Sequence, residues 1–349
     1  MTISSPATDG HSRTLPIALD AVGGDYAPRE IILGALEAYR ASGIPLTLVG
    51  PVGLLREELT RLKIDNPPFE LINADDIIAM DEAPAHAVRQ KRGSSIVVGT
   101  MLVKEGRAAG FVSAGNSGAV MAAAVLYLGR IAGVDRPALA TVFPTTAGQC
   151  LILDVGAATE CKTDNLVQFA LMGNIYYQQV MNKPSPRIGL LSNGEESSKG
   201  TPVVQATHRR LASSKLNFIG NIEGKDIPFD KADVIVTDGF AGNVALKMAE
   251  GIAEFTFTIL KSEVEKSGML AQIGAMLLMP TLRRIKKRFD YDEYGAALLL
   301  GVNGVSLVAH GRSRAKAIKN ALLQAQRLAS VRVVDLIRSD CEQLLSTSG

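Results

Sequence analysis

From Pro16 onward the chain repeats one local pattern: a short apolar run, a turn of small residues, then a helical pattern. "IALDAV" leads to "REIILGALEAYRASG", "LTLVG" to "GLLREELTRLK", and "AGFVSA" to "GAVMAAAVLYLGRI". "CLILDVG" leads to "TDNLVQFALMGNIYYQQV", "RIGLLSN" to "TPVVQATHRRLASS", and "ADVIVTD" to "NVALKMAEGIAEFTFTIL". Strands alternating with helices read as βαβ units, because parallel neighbours need a crossover long enough to hold a helix. The predicted class is α/β, a mostly parallel sheet with helices on both faces. "RQKRGSSIVVGTMLVKEGRA" reads as one helix, "AALLLGVNGVSLVAHG" as one late element, and a helical excursion is expected over about 255–292. No Pro/Gly linker splits the middle. Residues 15–340 read as one domain between a disordered polar tail at 1–14 and a C-terminal tail at 341–349.

Composition narrows the function. Hydrophobic residues make up 47% of the 349, but aromatics only 5%, with no Trp. Small residues suit close helix–sheet contacts, whereas a single-stranded nucleic-acid binder needs stacking aromatics. Lys and Arg total 37 against 35 Asp and Glu, a net charge of +2, so nothing global draws the chain to nucleic acid or membrane. Cys150, Cys161 and Cys341 match no zinc or disulfide spacing, which implies a reducing cytosol. The N-terminus lacks the charged and apolar regions of a signal peptide, and no run reaches the ~18 apolar residues of a membrane span. The expected location is cytoplasmic, or peripheral on a membrane surface.

The turns carry the chemistry. In a parallel sheet every strand-to-helix turn emerges on one edge, where ligands bind. Small residues let the backbone approach a ligand, and helix N-termini offer unpaired N–H groups to an anion. "SAGNSG" supplies Gly115, Asn116, Ser117 and Gly118, and "DGFAGN" supplies Asp238, Gly239, Gly242 and Asn243. "DAVGGD", "DVGAATECK" and "SNGEESSKG" are looser versions, the last contributing Lys199. Asn116 and Asn243 are expected to donate side-chain hydrogen bonds to phosphate, and Lys247 to reach it from one turn into its helix. The plainer alternative is that Gly-Asn only turns the chain and Lys247 is solvated.

Familiar cofactor and nucleophile motifs are missing. There is no G-x-G-x-x-G, H-E-x-x-H, C-x-x-C or G-x-S-x-G, and "GNIEGKD" fails as a P-loop. Adjacent Glu195 and Glu196 point apart on most backbones. His11, His86, His208 and His310, each taken alone, read as structural or surface residues. No cofactor and no metal are expected. One chemistry suits that inventory: phosphate is itself a nucleophile, and a thiol of pKa ~8.5 leaves tolerably. Acyl transfer from a thioester to phosphate then needs mainly positioning and charge stabilisation.

The runs "ALDAVGGDYAPREIILGALEA", "RQKRGSSIVVG", "FVSAGNSGAVMA", "ILDVGAATECK", "GLLSNGEESSKG", "FIGNIEGKDI", "VIVTDGFAGNVALKMAEG", "EYGAALLLGVNGVSLVAHGRS" and "AIKNAL" stand in an order that resembles the bacterial phosphate acyltransferases of phospholipid synthesis. The likeness spans about residues 16–325. Val22, Ser117, Ala158 and Asn193 depart from the usual Met, Thr, Asn and an apolar residue. The resemblance implies a Rossmann-like fold akin to those of phosphotransacetylases and isocitrate dehydrogenases, and a homodimer. It implies transfer from acyl carrier protein to inorganic phosphate, and an acyl phosphate passed to a membrane glycerol-3-phosphate acyltransferase. Alternatives are a phosphate acetyltransferase using acetyl-coenzyme A, a nicotinamide-dependent dehydrogenase on a related fold, and a non-catalytic scaffold at the membrane.

Two surfaces follow as expectations. Acidic carrier protein calls for a basic dock, offered by Arg89, Lys91 and Arg92, and by Arg283, Arg284 and Lys287, unless these are merely solvated. "GMLAQIGAMLLMPTLRRIKKRF" places Leu270, Ile273, Leu277, Leu278 and Leu282 beside a cationic cluster, the pattern of a segment lying on anionic lipid. Pro280 is expected to bend or divide it. The plainer reading buries these residues in a dimer interface or against the main domain.

Overall fold

The computed structural model describes residues 15–289, 293 and 295–347; the expected tail at 1–14 lies outside them. The described strands are β1 (Ile17–Asp20), β2 (Leu46–Gly50), β3 (Phe69–Asn73), β4 (Gly110–Ser113), β5 (Ala138–Pro144) and β6 (Gln149–Leu153), followed by β7 (Ile188–Ser192), β8 (Phe218–Glu223), β9 (Val234–Val236), β10 (Ala297–Leu300) and β11 (Val305–Val308). They form one sheet in the order β3-β2-β1-β4-β11-β10-β5-β6-β9-β7-β8. The helices are α1 (Arg29–Ser42), α2 (Val52–Arg61), α3 (Pro84–Gln90), α4 (Ser95–Lys104), α5 (Ser117–Ala123), α6 (Thr163–Val180) and α7 (Pro202–Ala212), then α8 (Gly239–Lys266), α9 (Met269–Phe289), α10 (Ala315–Ser330) and α11 (Val333–Thr347).

Strands β3, β2, β1, β4 and β11 pair in parallel, as do β6, β9, β7 and β8. Between these blocks the pairs β11–β10, β10–β5 and β5–β6 are antiparallel. Three reversals leave the second block running opposite to the first. The single ligand edge expected from the sequence is therefore corrected: turns after β1, β4 and β11 leave one edge, and turns after β6, β9 and β7 leave the other. The cause is two hairpins. β5 turns into β6 through residues 145–148, and the late element read as one piece is the β10–β11 pair. Short turns join antiparallel strands and need no crossover helix.

Apolar side chains alternate between the two faces. Ile17 and Leu19 of β1 join a core roofed by α1, α2, α6, α7, α10 and α11, whereas Ala18 joins one roofed by α3, α4 and α5. The helix read across 89–108 is divided. α3 ends at Gln90, and α4 restarts after Ser94, whose hydroxyl accepts the amide of Val97. The excursion is a pair of helices, with α8 beginning at the strand end and running 28 residues. α9 continues through Pro280 without division; the proline removes one backbone hydrogen bond, which the turns on either side outlast. α11 carries on past the tail boundary expected at 340.

α4 is held close over β4 by a glycine. A Cβ on Gly99 would lie 2.5 Å from Cδ2 of buried Phe111 and overlap the ring edge. Gly99→Ala is expected to cost about 1–3 kcal/mol by overpacking, seen as a lower urea midpoint. Phe111→Leu in the same chain should recover part of the loss. An unchanged midpoint in Gly99→Ala would contradict the contact.

Candidate functional site

Strands β1, β6 and β9 lead into aspartates whose carboxylates fold back on the turns that follow. Asp20 is buried and accepts the Ser113 hydroxyl at 2.7 Å and the Val22 amide at 3.2 Å. Ser113 in turn accepts the Gly115 amide at 3.0 Å. Asp154 accepts the amides of Leu139, Gly156, Ala157 and Ala158 at 2.8, 3.1, 2.9 and 2.6 Å. Asp238 caps α8 by accepting the Ala241 amide at 2.7 Å. Burial pushes the carboxyls of Asp20 and Asp154 above the usual range despite these donors. The small turns cradle the chain's own carboxylates, and amides expected for a ligand are spent on them.

Asn116 is similarly engaged. Its Oδ1 accepts the Ala119 amide at 3.0 Å, and its Nδ2 donates to the carbonyls of Ala79, Met80 and Glu82 at 3.0, 3.3 and 3.1 Å. The side chain expected to reach phosphate instead ties segment 79–82 to the start of α5. Gly118 packs under Pro84, and Ser117 is exposed.

Gly239 and Gly242 seat α8 on the turn after β6. A Cβ on Gly239 would stand 2.6 Å from Oδ2 of Asp154 and 2.7 Å from the Ala158 carbonyl; one on Gly242 would overlap the Asp154 carbonyl oxygen. That seating aims the next turns. Asn243, Lys247 and Glu250 lie along one helical face, with the Asn243 side chain beside Gly156. Lys247 Nζ donates to Glu250 Oε2 at 2.8 Å and lies 3.3 Å from Nε2 of His310, 63 residues away.

His310 follows β11, in the opposite block. Its Nδ1 accepts the Arg312 amide at 3.1 Å. Its loop is stitched to the turns after β4 and β1, by Ala309 N–H to the Ser113 carbonyl and Asp25 N–H to the Gly311 carbonyl, both 2.8 Å. The Met80 methyl lies over Gly311. Turns from one block therefore meet α8 from the other at Lys247 and His310. Burial, then the neighbouring Lys247, hold the imidazole below its ordinary pKa. Sequence reasoning set His310 aside; its place at a strand end was visible, but its partner was not.

The remaining expected residues fall elsewhere. Lys199 lines a cleft with Asn193, Glu195, Glu196, Glu223 and Lys225. Beside it, Glu195, Glu223 and Asp226 cluster closely enough for a cation, but Lys231 already pairs with Glu195 at 2.6 Å and Asp226 at 3.1 Å. Lys91 donates to the Ile77 carbonyl and to Glu82, whose carboxyl it holds below the usual range; Arg89 and Arg92 are exposed. Arg283 and Arg284 are exposed on α9, and Lys287 pairs with Glu293 at 3.5 Å. Burial lifts the Cys161 thiol to about 11, a poor thiolate source.

A family model described as fatty acid synthesis protein matches residues 15–336. The chain is 52% identical over 312 residues to a phosphate acyltransferase of Heliobacterium modesticaldum, covering 89% of this chain and 93% of that one. It is 50% identical over 321 residues to one of Dictyoglomus thermophilum, covering 91% and 95%. The chain belongs to the phosphate acyltransferase family. Solved structures share the fold at low identity. A phosphotransacetylase of Streptococcus pyogenes superposes with a TM-score of 0.61 at 15% identity, covering 91% of this chain and 95% of that one. One of Staphylococcus aureus gives 0.58 at 18%, covering 90% and 94%. A 4-hydroxythreonine-4-phosphate dehydrogenase of Klebsiella pneumoniae gives 0.54 at 14%, covering 90% and 100%. The expected kinship with phosphotransacetylase folds is thus observed.

In this phosphate acyltransferase-family chain Asn116 has a structural position. Asn116→Ala removes a helix cap and the donor shared by the part-buried bonds to the carbonyls of Ala79, Met80 and Glu82, at about 1–3 kcal/mol. Asn116→Asp keeps the cap oxygen but not the donors and should be no more stable. A lower urea midpoint in both variants is expected. Wild-type stability with lost turnover would assign the amide to a ligand instead.

Proposed function

We propose that the chain moves a long-chain fatty acyl group from the thioester of acyl carrier protein to inorganic phosphate, giving acyl phosphate for phospholipid synthesis. The observation that carries this reading is 52% identity to a phosphate acyltransferase across 89% of the chain. Side-chain chemistry agrees with it. Burial lifts the Cys161 thiol to about 11, which disfavours an acyl-cysteine route and suits phosphate as the nucleophile. A phosphate oxygen forms a bond to the thioester carbon, and the carbonyl pair moves onto oxygen. Collapse expels the thiolate, which takes up the proton shed by hydrogen phosphate. Lys247 and Asn243, on one face of α8, supply a positive charge and a polar donor for the phosphate. The reaction occurs in the cytoplasm and needs no cofactor in this scheme.

Partners follow from surfaces. Phe240, Val244, Met248, Ile252, Phe255 and Ile259 recur every three or four residues along α8 and are all exposed, which suits a second copy of the chain in a homodimer. Arg89 and Arg92, with Arg283 and Arg284, form basic ground for acidic carrier protein. On α9, Leu270 is 88% and Leu277 78% exposed, with Ile273 and Leu278 also exposed and Leu282 half-buried. This helix rests peripherally on the membrane. No described helix is long and apolar enough to cross one. A long-chain acyl phosphate is amphiphilic, so release at the bilayer delivers it to a membrane glycerol-3-phosphate acyltransferase.

The deciding assay incubates pure protein with palmitoyl acyl carrier protein and phosphate, and traps product with hydroxylamine. Acyl hydroxamate that depends on phosphate is expected; its absence, or equal yield from acetyl-coenzyme A, overturns the proposed substrate. For the membrane, Leu277→Glu with Leu278→Glu should abolish flotation with vesicles containing anionic lipid while activity in solution persists. Unchanged flotation would remove α9 from the membrane role.

A further inference from the structure

We infer that Met80, with Ile77 beside it in the chain, seats the fatty acyl chain next to its thioester carbon, a role that rests on the acyl-transfer reading above. Segment 77–82 lies between β3 and α3. Ile78 is sunk in the core under α3, α4 and α5, while Ile77 is 42% and Met80 53% exposed. Single apolar residues on a surface are ordinary and need no ligand to explain them. What sets this pair apart is the hold on the backbone that carries it. Asn116 Nδ2 draws in the carbonyls of Ala79, Met80 and Glu82. Lys91 Nζ donates to the Ile77 carbonyl at 2.8 Å and to Glu82 Oε1 at 2.7 Å, and Oε1 also accepts the Ala79 amide at 2.6 Å. Carbonyls that a surface loop ordinarily gives to water are bonded to the protein, and the apolar side chains are left outside. A surface already ordered costs a ligand less to bind than a mobile one.

Position names the ligand. Met80 Cε packs over Gly311, where an added Cβ would stand 3.1 Å from it. Gly311 follows His310, whose Nε2 lies 3.3 Å from Lys247 Nζ. The exposed methionine therefore borders the ammonium assigned above to phosphate. Reaction brings phosphate and the thioester carbon into contact, so a wall beside the phosphate meets whatever is attached to that carbon. One attachment is sulfur, leading to an amide-rich pantetheine arm; the other is hydrocarbon. The loop carbonyls that could receive the arm's amides are already engaged by Asn116 and Lys91, whereas its side chains are apolar. Covering them with methylenes removes apolar surface from water on both partners. An unbranched thioether side chain also adapts its shape to a flexible alkyl chain.

The test uses the full chain with carrier protein bearing butyryl, octanoyl or palmitoyl, each assayed by hydroxamate trapping. Met80→Ala should lower kcat/KM for the palmitoyl donor about tenfold, the scale of lost methylene contacts, and for the butyryl donor less, with the phosphate KM unmoved. Met80→Leu keeps the apolar volume and should retain the preference for palmitoyl; Met80→Gln, of similar length but polar, should lose it as Ala does. A direct readout takes protein labelled with carbon-13 at the methionine methyls, the Met80 signal being assigned by its loss in Met80→Leu. That signal should shift on adding carrier protein bearing an unreactive S-hexadecyl thioether, and stay in place with carrier protein bearing the free thiol. Equal losses for all three donors, or a shift with the free-thiol carrier, assign Met80 to the pantetheine arm and overturn the inference, as does no shift with the thioether. A wild-type chain that yields no hydroxamate from any donor defeats the acyl-transfer reading, and the methyl signal then decides Met80 by itself. Hydroxamate formed with a chain-length preference indifferent to Met80 defeats this inference alone.

Discussion

Gly239 and Gly242 bring the first turn of α8 onto the turn after β6 with no side chain between them, and the position of Lys247 follows from that contact. The turn itself is held by Asp154, whose buried carboxylate collects four amides. A buried carboxylate without partners would be costly; these donors make the turn a defined platform. From the platform outward the helix is rigid, so the third turn of α8 can place an ammonium within 3.3 Å of a ring carried by another part of the sheet. Burial of a charge, close backbone approach and helical geometry act in sequence.

The parts of this arrangement differ in how far the sequence discloses them. Strands β1, β2, β4, β6, β7 and β9 are legible because each is an apolar run followed by an amphipathic helix, and that pattern is local. The reversal of the sheet is not local. "ALATVFP" of β5 carries no sign of which neighbour it will pair with, and "AALLLGVNGVSLV" hides a hairpin inside one apolar stretch. The site is partly legible for the same reason. Glycines at 239 and 242 mark close approach, but not whether a ligand or the chain's own backbone comes near. Aspartates at strand ends read alike whether their carboxylates face a ligand or fold back on the turn, as Asp20 and Asp154 do. His310 needed its partner, and no periodicity links it to Lys247 across 63 residues. Family kinship was legible throughout, because it rests on the order of many short runs and not on any one turn.

α8 and α9 differ in what surrounds their exposed apolar residues. Along α8 the stripe from Phe240 to Ile259 runs beside charges of both signs, including Lys247, Glu250, Glu254 and Lys261. Along α9 the apolar residues precede Arg283, Arg284 and Lys287, with no acidic residue in the first turn. Mixed charge favours specific pairing with a protein surface, whereas a run of one sign favours an extended charged surface. A helix of 28 residues spans about 42 Å, so the end that carries Lys247 and the far end of the helix pair can serve different partners without interference.

The reversal of strand direction has a mechanical meaning. His310 is anchored to the block of β1, β4 and β11, and Lys247 to the block of β6 and β9, with β10 and β5 as the seam. Any twist or shear at the seam changes the spacing of the two nitrogens directly. The contact between ring and ammonium crosses that seam, so the two blocks of an eleven-stranded sheet touch at side chains as well as through their strands, as a strap across a hinge limits how far it opens.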